Sequence, residues 1–366
     1  MKKKICYLAA LDLACKRGVV EKVRSTIGAL QEAGYAGQAV ICEKGGLAGA
    51  LILRKKLGEI DADLIILRSR GPFGLFLVDG LIRKRLRGTK IVIDIPTPIR
   101  NAILEVWGHR KNLVAGLVDI LLLLLAHPWC DLPANRVIEY GEEHDWFLIG
   151  LRKKAVLVGN GVAVANVPIA HANAWKRSNP LTLIAVSALS FWHGYDRLIR
   201  GLGEYQANLA AGAPAVELLL VGDGPERERL EALAASLGLA DSVHFLGYRV
   251  GEPLYDYYRQ AHVAISAIGC HRKGLTVASP LKSREALAMG LPIVYAYKDP
   301  DLPDDLAFAQ RIPADDSAVD ISALVDWYAR LRESDFDPRS LREFAARQLD
   351  FSRKIWPYTE LLKTMA

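Results

Sequence analysis

The sequence predicts an α/β protein of two doubly wound domains, each with a parallel sheet covered by helices. Three observations carry this. Short apolar runs alternate with helix-period segments along the whole chain, the pattern of βαβ units. The alternation breaks once, at the polar, proline-bearing stretch 163–180 (AVANVPIAHANAWKRSNP), and then restarts; such a change marks a domain boundary. At 366 residues the chain also exceeds what one hydrophobic core organises. The expected division is 1–165, 166–350 and a closing helix over 351–366.

In the first half the strand candidates are KKICYLAA, AGQAVIC, DLIILRS, TKIVIDI, RVIEYG and KAVLVGNGV. In the second they are LTLIAVSAL, AVELLLVG, SVHFLGY, HVAISAI and LPIVYA. Most are continuous apolar runs, as strands covered on both faces require. The start, MKKKICYLAALDLAC, is basic then apolar, but Asp12 interrupts it and an amphipathic helix follows. It is assigned to a first strand rather than a leader. The end, FSRKIWPYTELLKTMA, reads as an amphipathic helix with Trp356, Tyr358, Leu361 and Leu362 on its apolar side.

The run LVAGLVDILLLLLAHPWC (113–130) is shorter than the roughly 20 apolar residues of a spanning helix, and Asp119 interrupts it. Two readings stay open. The commoner is a buried helix of the first domain. The other is a helix lying in a membrane interface, since HRKN precedes it and the basic cluster Arg83–Arg87 (RKRLR) lies upstream.

With 51% hydrophobic and 24% charged residues the chain is globular, not disordered. A net charge of +6 suits anionic ligands or anionic membrane surfaces. No basic and aromatic interleaving points to nucleic acid. Five scattered cysteines without a C-x-x-C pair argue for a reducing, cytoplasmic compartment and against zinc or disulfides.

The segment ASPLKSREALAMGLPIVYA (278–296) carries the first chemical signal. Ser279 suits an N-cap and Pro280 the first helical position. Lys282 and Arg284 then place cations at the positive end of a helix dipole, where they are disfavoured unless an anion binds there. Upstream, ELLLVGDGPERERLEALAASLGLADSVHFLGY (217–248) runs strand, turn, helix, strand, with Gly222 and Gly224 in the turn. Alone, that G-x-G indicates only a tight turn.

Taken together, four segments resemble the retaining GT-B glycosyltransferases of the E-x7-E type, including bacterial lipopolysaccharide and exopolysaccharide sugar transferases. They are VGNGV (158–162), VSALSFWHGYDRLIRGL (186–202), YYRQAHVAIS (257–266) and REALAMGLPIV (284–294), with the run 217–248 between them. The resemblance implies two Rossmann-like domains facing an interdomain cleft. The first would bind acceptor and the second the nucleotide sugar. The C-terminal helix would cross back onto the first domain.

Residue by residue, the resemblance makes Glu285 the ribose ligand, its oxygens accepting from vicinal hydroxyls. Ser279, Pro280, Leu281, Lys282 and Arg284 would surround the donor diphosphate, with Gly222 nearby and Tyr248 beside the base. His193 stands where the family has a lysine, and Ala188 where it has an arginine. Val277 replaces the first glutamate of E-x7-E. In the first domain, Arg17 and Gly18 would face the donor, and Asp94 and Thr97, with Arg100, the acceptor and the reaction. PT after the fourth strand and SPLK-x-RE look like a bacterial polysaccharide branch.

What the resemblance implies is a metal-independent hexosyltransferase without cofactor, using a UDP- or GDP-sugar type donor and a glycan or lipid-linked glycan acceptor. It would be cytoplasmic or peripheral on the inner membrane face. The alternative is a GT-B-like scaffold subunit that has lost its chemistry, which Val277 and Ala188 suggest.

Overall fold

The computed structural model describes residues 2–11, 17–68, 72–95, 97–109, 113–142, 150–170, 180–334 and 336–364. The chain divides into two compact units, residues 1–161 with 351–366, and residues 162–350.

The first unit runs β1 (Lys4–Ala10), α1 (Arg17–Glu32), β2 (Ala36–Cys42), α2 (Gly46–Glu59), β3 (Leu64–Arg68), α3 (Leu75–Leu86), β4 (Lys90–Ile95), α4 (Ile99–His109), α5 (Leu113–Cys130), β5 (Arg136–Glu139) and β6 (Ala155–Leu157). Its six strands lie parallel in the order β2-β1-β3-β4-β5-β6. Central β1, β3 and β4 are buried almost throughout, as their continuous apolar sequences require.

In the second unit come β7 (Leu181–Val186), α6 (Tyr195–Ala207), β8 (Val216–Val221), α7 (Arg227–Ser236), β9 (Val243–Gly247), α8 (Glu252–Gln260), β10 (Val263–Ile265), α9 (Leu281–Ala288), β11 (Ile293–Tyr295), β12 (Ala309–Arg311), α10 (Ile321–Glu333) and α11 (Arg339–Phe344). The sheet is again parallel, ordered β12-β11-β10-β7-β8-β9. Apolar layers cover both its faces, one including Tyr258, Leu287 and Ile293, the other Leu198, Ile199 and Leu324. Two short helices, α12 (Phe351–Lys354) and α13 (Trp356–Lys363), group with the first unit. There Tyr358 and Leu362 are buried, and Arg136 donates to the Pro357 carbonyl at 2.7 Å.

Three expectations need correction. KAVLVGNGV forms a strand only over β6, because the chain turns away to bring Gly161 against Phe351. A Cβ on Gly161 would lie 2.7 Å from that ring. The expected connector is partly docked, since residues 162–170 belong to the second unit. Val162 N–H donates to the Leu349 carbonyl at 2.9 Å, and Arg342 donates to the carbonyls of Val164 and Val167 at 2.8 Å each. The division therefore falls before Val162; residues 171–179 lie outside the described residues. Last, α5 is not a buried core helix. Gly116, Ala126 and Cys130 are buried, but Leu117, Leu121 and Leu125 are exposed. Small residues hold it against the unit and its leucines point outward. Among the described residues, no helix is long and apolar enough to cross a membrane.

Candidate functional site

Strand β7 lies between β10 and β8. The chain leaves β7 toward β8 on one side and later returns to β10 on the other. The carboxyl ends of β7 and β10 therefore form the topological switch point of the sheet, where open α/β sheets bind ligands. The loop after β10 leads into α9.

Close backbone contacts hold these loops. Gly194, at φ +74°, meets Gly269 so tightly that a Cβ on it would lie 2.8 Å from the Gly269 nitrogen. Gly222, at φ +139°, faces the Ser187 carbonyl, which a Cβ would approach to 1.8 Å. The glycine at this turn thus serves loop packing. Arg197, fully buried, donates to the carbonyls of Ile268 (2.5 Å), Ser317 (2.8 Å) and Pro313 (3.0 Å). Arg272 clamps Asp196 at 2.7 and 2.9 Å and reaches the Phe191 carbonyl at 2.7 Å. Neither arginine stood out in the sequence. Their adjacency to the turn was visible there, but their inward direction was not.

His193 closes the short 3-10 turn Phe191–His193 ahead of Gly194. Its ring stacks on Tyr195 at 5.7 Å, and among the described residues its Nδ1 has no partner. Burial, then the charge of Lys273, pushes its pKa down to about 4. It is therefore a neutral imidazole near pH 7, able to offer a hydrogen bond and not a charge. Lys273 itself lies 4.4 Å over the Trp192 ring, a cation–π arrangement that had no signature in the sequence. Because the unfolded imidazole titrates near 6.5 and the folded one near 4, stability is undiminished above about pH 6.5. It declines as pH falls toward 4, where only the unfolded chain gains the proton. His193→Gln should flatten that decline in urea midpoints measured between pH 7 and 5.

Helix α9 starts at Leu281, with Pro280 as its extended N-cap residue (φ −61°, ψ 138°). The helix thus begins one residue later than expected, and Ser279 sits outside the cap. The Ser283 hydroxyl donates back to the Pro280 carbonyl at 2.8 Å. The first-turn amides precede the intrahelical ladder. Lys282 and Glu285 meet at 2.7 Å, with side chains 43% and 19% exposed. Arg284 does not join them. Two residues make about 200° of helix rotation, so Lys282 and Arg284 face opposite ways. Arg284 is wholly buried and binds Asp299 through both terminal nitrogens (one contact at 2.6 Å) and Asp301 at 2.9 Å. Burial alone would favour losing its proton, but Asp299 and Asp301 outweigh this and hold the guanidinium charged. The acidic segment DPDLPDD (299–305) supplies that counter-charge.

Val277 is buried beside a short parallel bridge to Lys298. Ala278 N–H donates to the Lys298 carbonyl at 3.0 Å, and Lys298 N–H to that of Thr276 at 2.8 Å. Ala188 is exposed. The Tyr248 ring, just after β9, is 57% exposed rather than packed.

The family described as "Glycosyl transferases group 1" matches residues 180–308. An "Uncharacterized glycosyltransferase" of Haemophilus influenzae is 34% identical over 225 residues, 58% of each chain. "Lipopolysaccharide core biosynthesis glycosyltransferase LpsD" of Rhizobium meliloti is 34% identical over 82 residues, 22% of each chain. The matches thus span little more than half of these curated relatives, or less. The solved "Sucrose-phosphate synthase" of Thermosynechococcus elongatus superposes with a TM-score of 0.66 at 16% identity, covering 99% of both chains. The two parallel sheets are the GT-B fold.

Within the matched residues 180–308, Glu285, Lys282, His193, Gly222 and Tyr248 all sit on loops or helix starts following the carboxyl ends of strands, whereas Arg284 turns away. The first unit departs further from expectation. Asp94, at the end of β4, is fully buried, accepts a hydrogen bond from the Tyr7 hydroxyl, and pairs with Arg68 at 2.8 Å. The buried Lys22 Nζ lies 3.2 Å over the Tyr140 ring, and burial holds its pKa well below the usual lysine range despite Asp94. Burial would raise the Asp94 pKa; Lys22, Arg68 and Tyr7 together hold it below the usual carboxylate range. Asp94 is therefore the counter-charge of the largely buried Arg68 guanidinium, and not an accessible catalytic group. Thr97 is half-buried in the bend before α4, and Arg100 is exposed in its first turn. Gly18 is exposed in the first turn of α1, so it belongs to a helix rather than a loop. The side chain of Arg17 and residues 12–16 lie outside the described residues.

Proposed function

We propose that this chain transfers a hexose, with retention and without a metal ion, from a nucleotide sugar to a lipid-linked glycan acceptor in bacterial surface polysaccharide synthesis. One observation carries the reading: Lys282 and Glu285 stand side by side on the first turns of α9, which follows a strand of the switch point. Such a helix start receives a diphosphate. Lys282 would exchange its bond to Glu285 for a phosphate oxygen, freeing Glu285 to accept from the ribose hydroxyls. The imidazole of His193 would add a neutral hydrogen bond. The names of the relatives agree with sugar transfer and, for one, with lipopolysaccharide.

In the proposed step the acceptor hydroxyl oxygen bonds to the anomeric carbon on the face that the diphosphate leaves. The carbon–oxygen bond to the phosphate breaks and its electron pair departs with the diphosphate. The hydroxyl proton passes to a leaving phosphate oxygen. Lys282 and the α9 amides would stabilise the charge developing there, and the protein would otherwise orient the partners.

Buried Val277 favours a second reading, a non-catalytic subunit. A panel of UDP- and GDP-hexoses, followed by saturation-transfer NMR and by donor turnover, separates the two. Binding with slow donor hydrolysis supports the transferase. Binding without turnover, even with lipid-linked glycan present, supports the scaffold; no binding of any donor overturns the transferase and leaves the scaffold.

A further inference from the structure

Helix α5 has a narrow inner stripe. Gly116, Ala126 and Cys130 are buried, with Ile120 and Leu123 half-buried. On the outside, Leu117, Leu121, Leu125 and Trp129 form a ridge of i, i+4 neighbours, each between 50 and 62% exposed. A helix facing water normally turns a polar side outward. Here Asp119 is the sole charged residue in 18. The apolar surface continues onto exposed Leu75 and Phe76 at the start of α3, which packs beside α5. An open apolar patch of this extent marks a surface that is covered in function.

Its border is basic. Arg85 donates to the carbonyls of Leu132 and Pro133, directly beyond α5, at 3.5 and 3.3 Å. Arg83 and Arg87 are exposed beside it. Arg54 binds the Phe76 carbonyl and, with Arg83, shares Asp79, leaving that trio with net positive charge. An isologous contact with a second copy would bring this basic rim near itself. An apolar ridge with a cationic rim instead complements a bilayer of anionic lipids, with leucines at the acyl boundary and guanidiniums at the phosphates.

We propose that the α5 ridge, with the start of α3, seats this chain on an anionic membrane surface, lying in the interface without crossing it. The test uses the full chain and no sugar nucleotide, so its outcome is independent of the transfer reading. Co-sedimentation is measured with vesicles of phosphatidylcholine alone and of an equal mixture with phosphatidylglycerol. The expected result is binding to the mixed vesicles that falls with added salt, and about tenfold or more weaker binding by Leu121→Gln/Leu125→Gln. Brominated lipid should quench wild-type tryptophan fluorescence, and Trp129→Phe should lose most of that quenching while still sedimenting. This second measurement decides the matter if the double variant fails to fold. Equal binding to both vesicle types, no binding, or binding without quenching through Trp129 overturns the proposal. So does a wild-type dimer that the double variant dissociates, with no vesicle binding.

Discussion

Glu285→Ala weakens nucleoside-diphosphate binding by about tenfold to a hundredfold, the expected loss of charge-assisted hydrogen bonds to two ribose hydroxyls. The unfolding midpoint should barely move, because the Lys282–Glu285 pair is partly exposed and such pairs contribute about 0.5 kcal/mol. Lys282→Met makes the complementary case. It should lower affinity for the diphosphate while leaving affinity for the plain nucleoside nearly unchanged. Titration calorimetry with both ligands reads the split. Unchanged affinities in both variants would remove the donor site from α9, whatever the fold.

Arg284→Met, one turn face away, should do the reverse. It removes the cation from between Asp299, whose side chain is fully buried, and Asp301. Breaking a buried ion pair from one side costs about 3–5 kcal/mol, so the second unit should unfold at much lower urea. Adding Asp299→Asn should recover part of the loss, since one of the orphaned charges is then gone. A double-mutant cycle measured by urea unfolding gives the coupling. Stability equal to wild type in Arg284→Met would show that the guanidinium is not held inside. The two variants separate what the sequence presented as one cluster of cations.

Most strands were legible because a covered parallel sheet leaves a continuous apolar trace. Both sheets contain the strands expected from that trace, with β6 shortened and β12 added. The polar triplet Ala309–Arg311 forms an edge strand, and such a strand leaves no apolar run to detect. In the site, Glu285 was singled out by the resemblance and Lys282 by its charge at a helix start, and the helix sets the two three residues apart on one face. Helix periodicity already separates Lys282 from Arg284. What it does not give is which face meets the interior, and the sheet packing of α9 decided that. Asp94 misled for a similar reason. Its place at a strand end suggests an accessible carboxylate, but Arg68 and Lys22 approach it from β3 and α1.

The sequence by itself determined the α/β class, most strands, the parallel sheets and the resemblance carried by the second unit. Local apolar runs and the spacing of a few motif residues encode those. Only the tertiary structure decided which charges are structural. Whether Asp94, Arg284, Arg197 and Arg272 meet solvent or another buried group depends on residues far away in the chain. It also decided that the leucines of α5 face outward, because a continuous apolar helix carries no periodicity that says which side is covered.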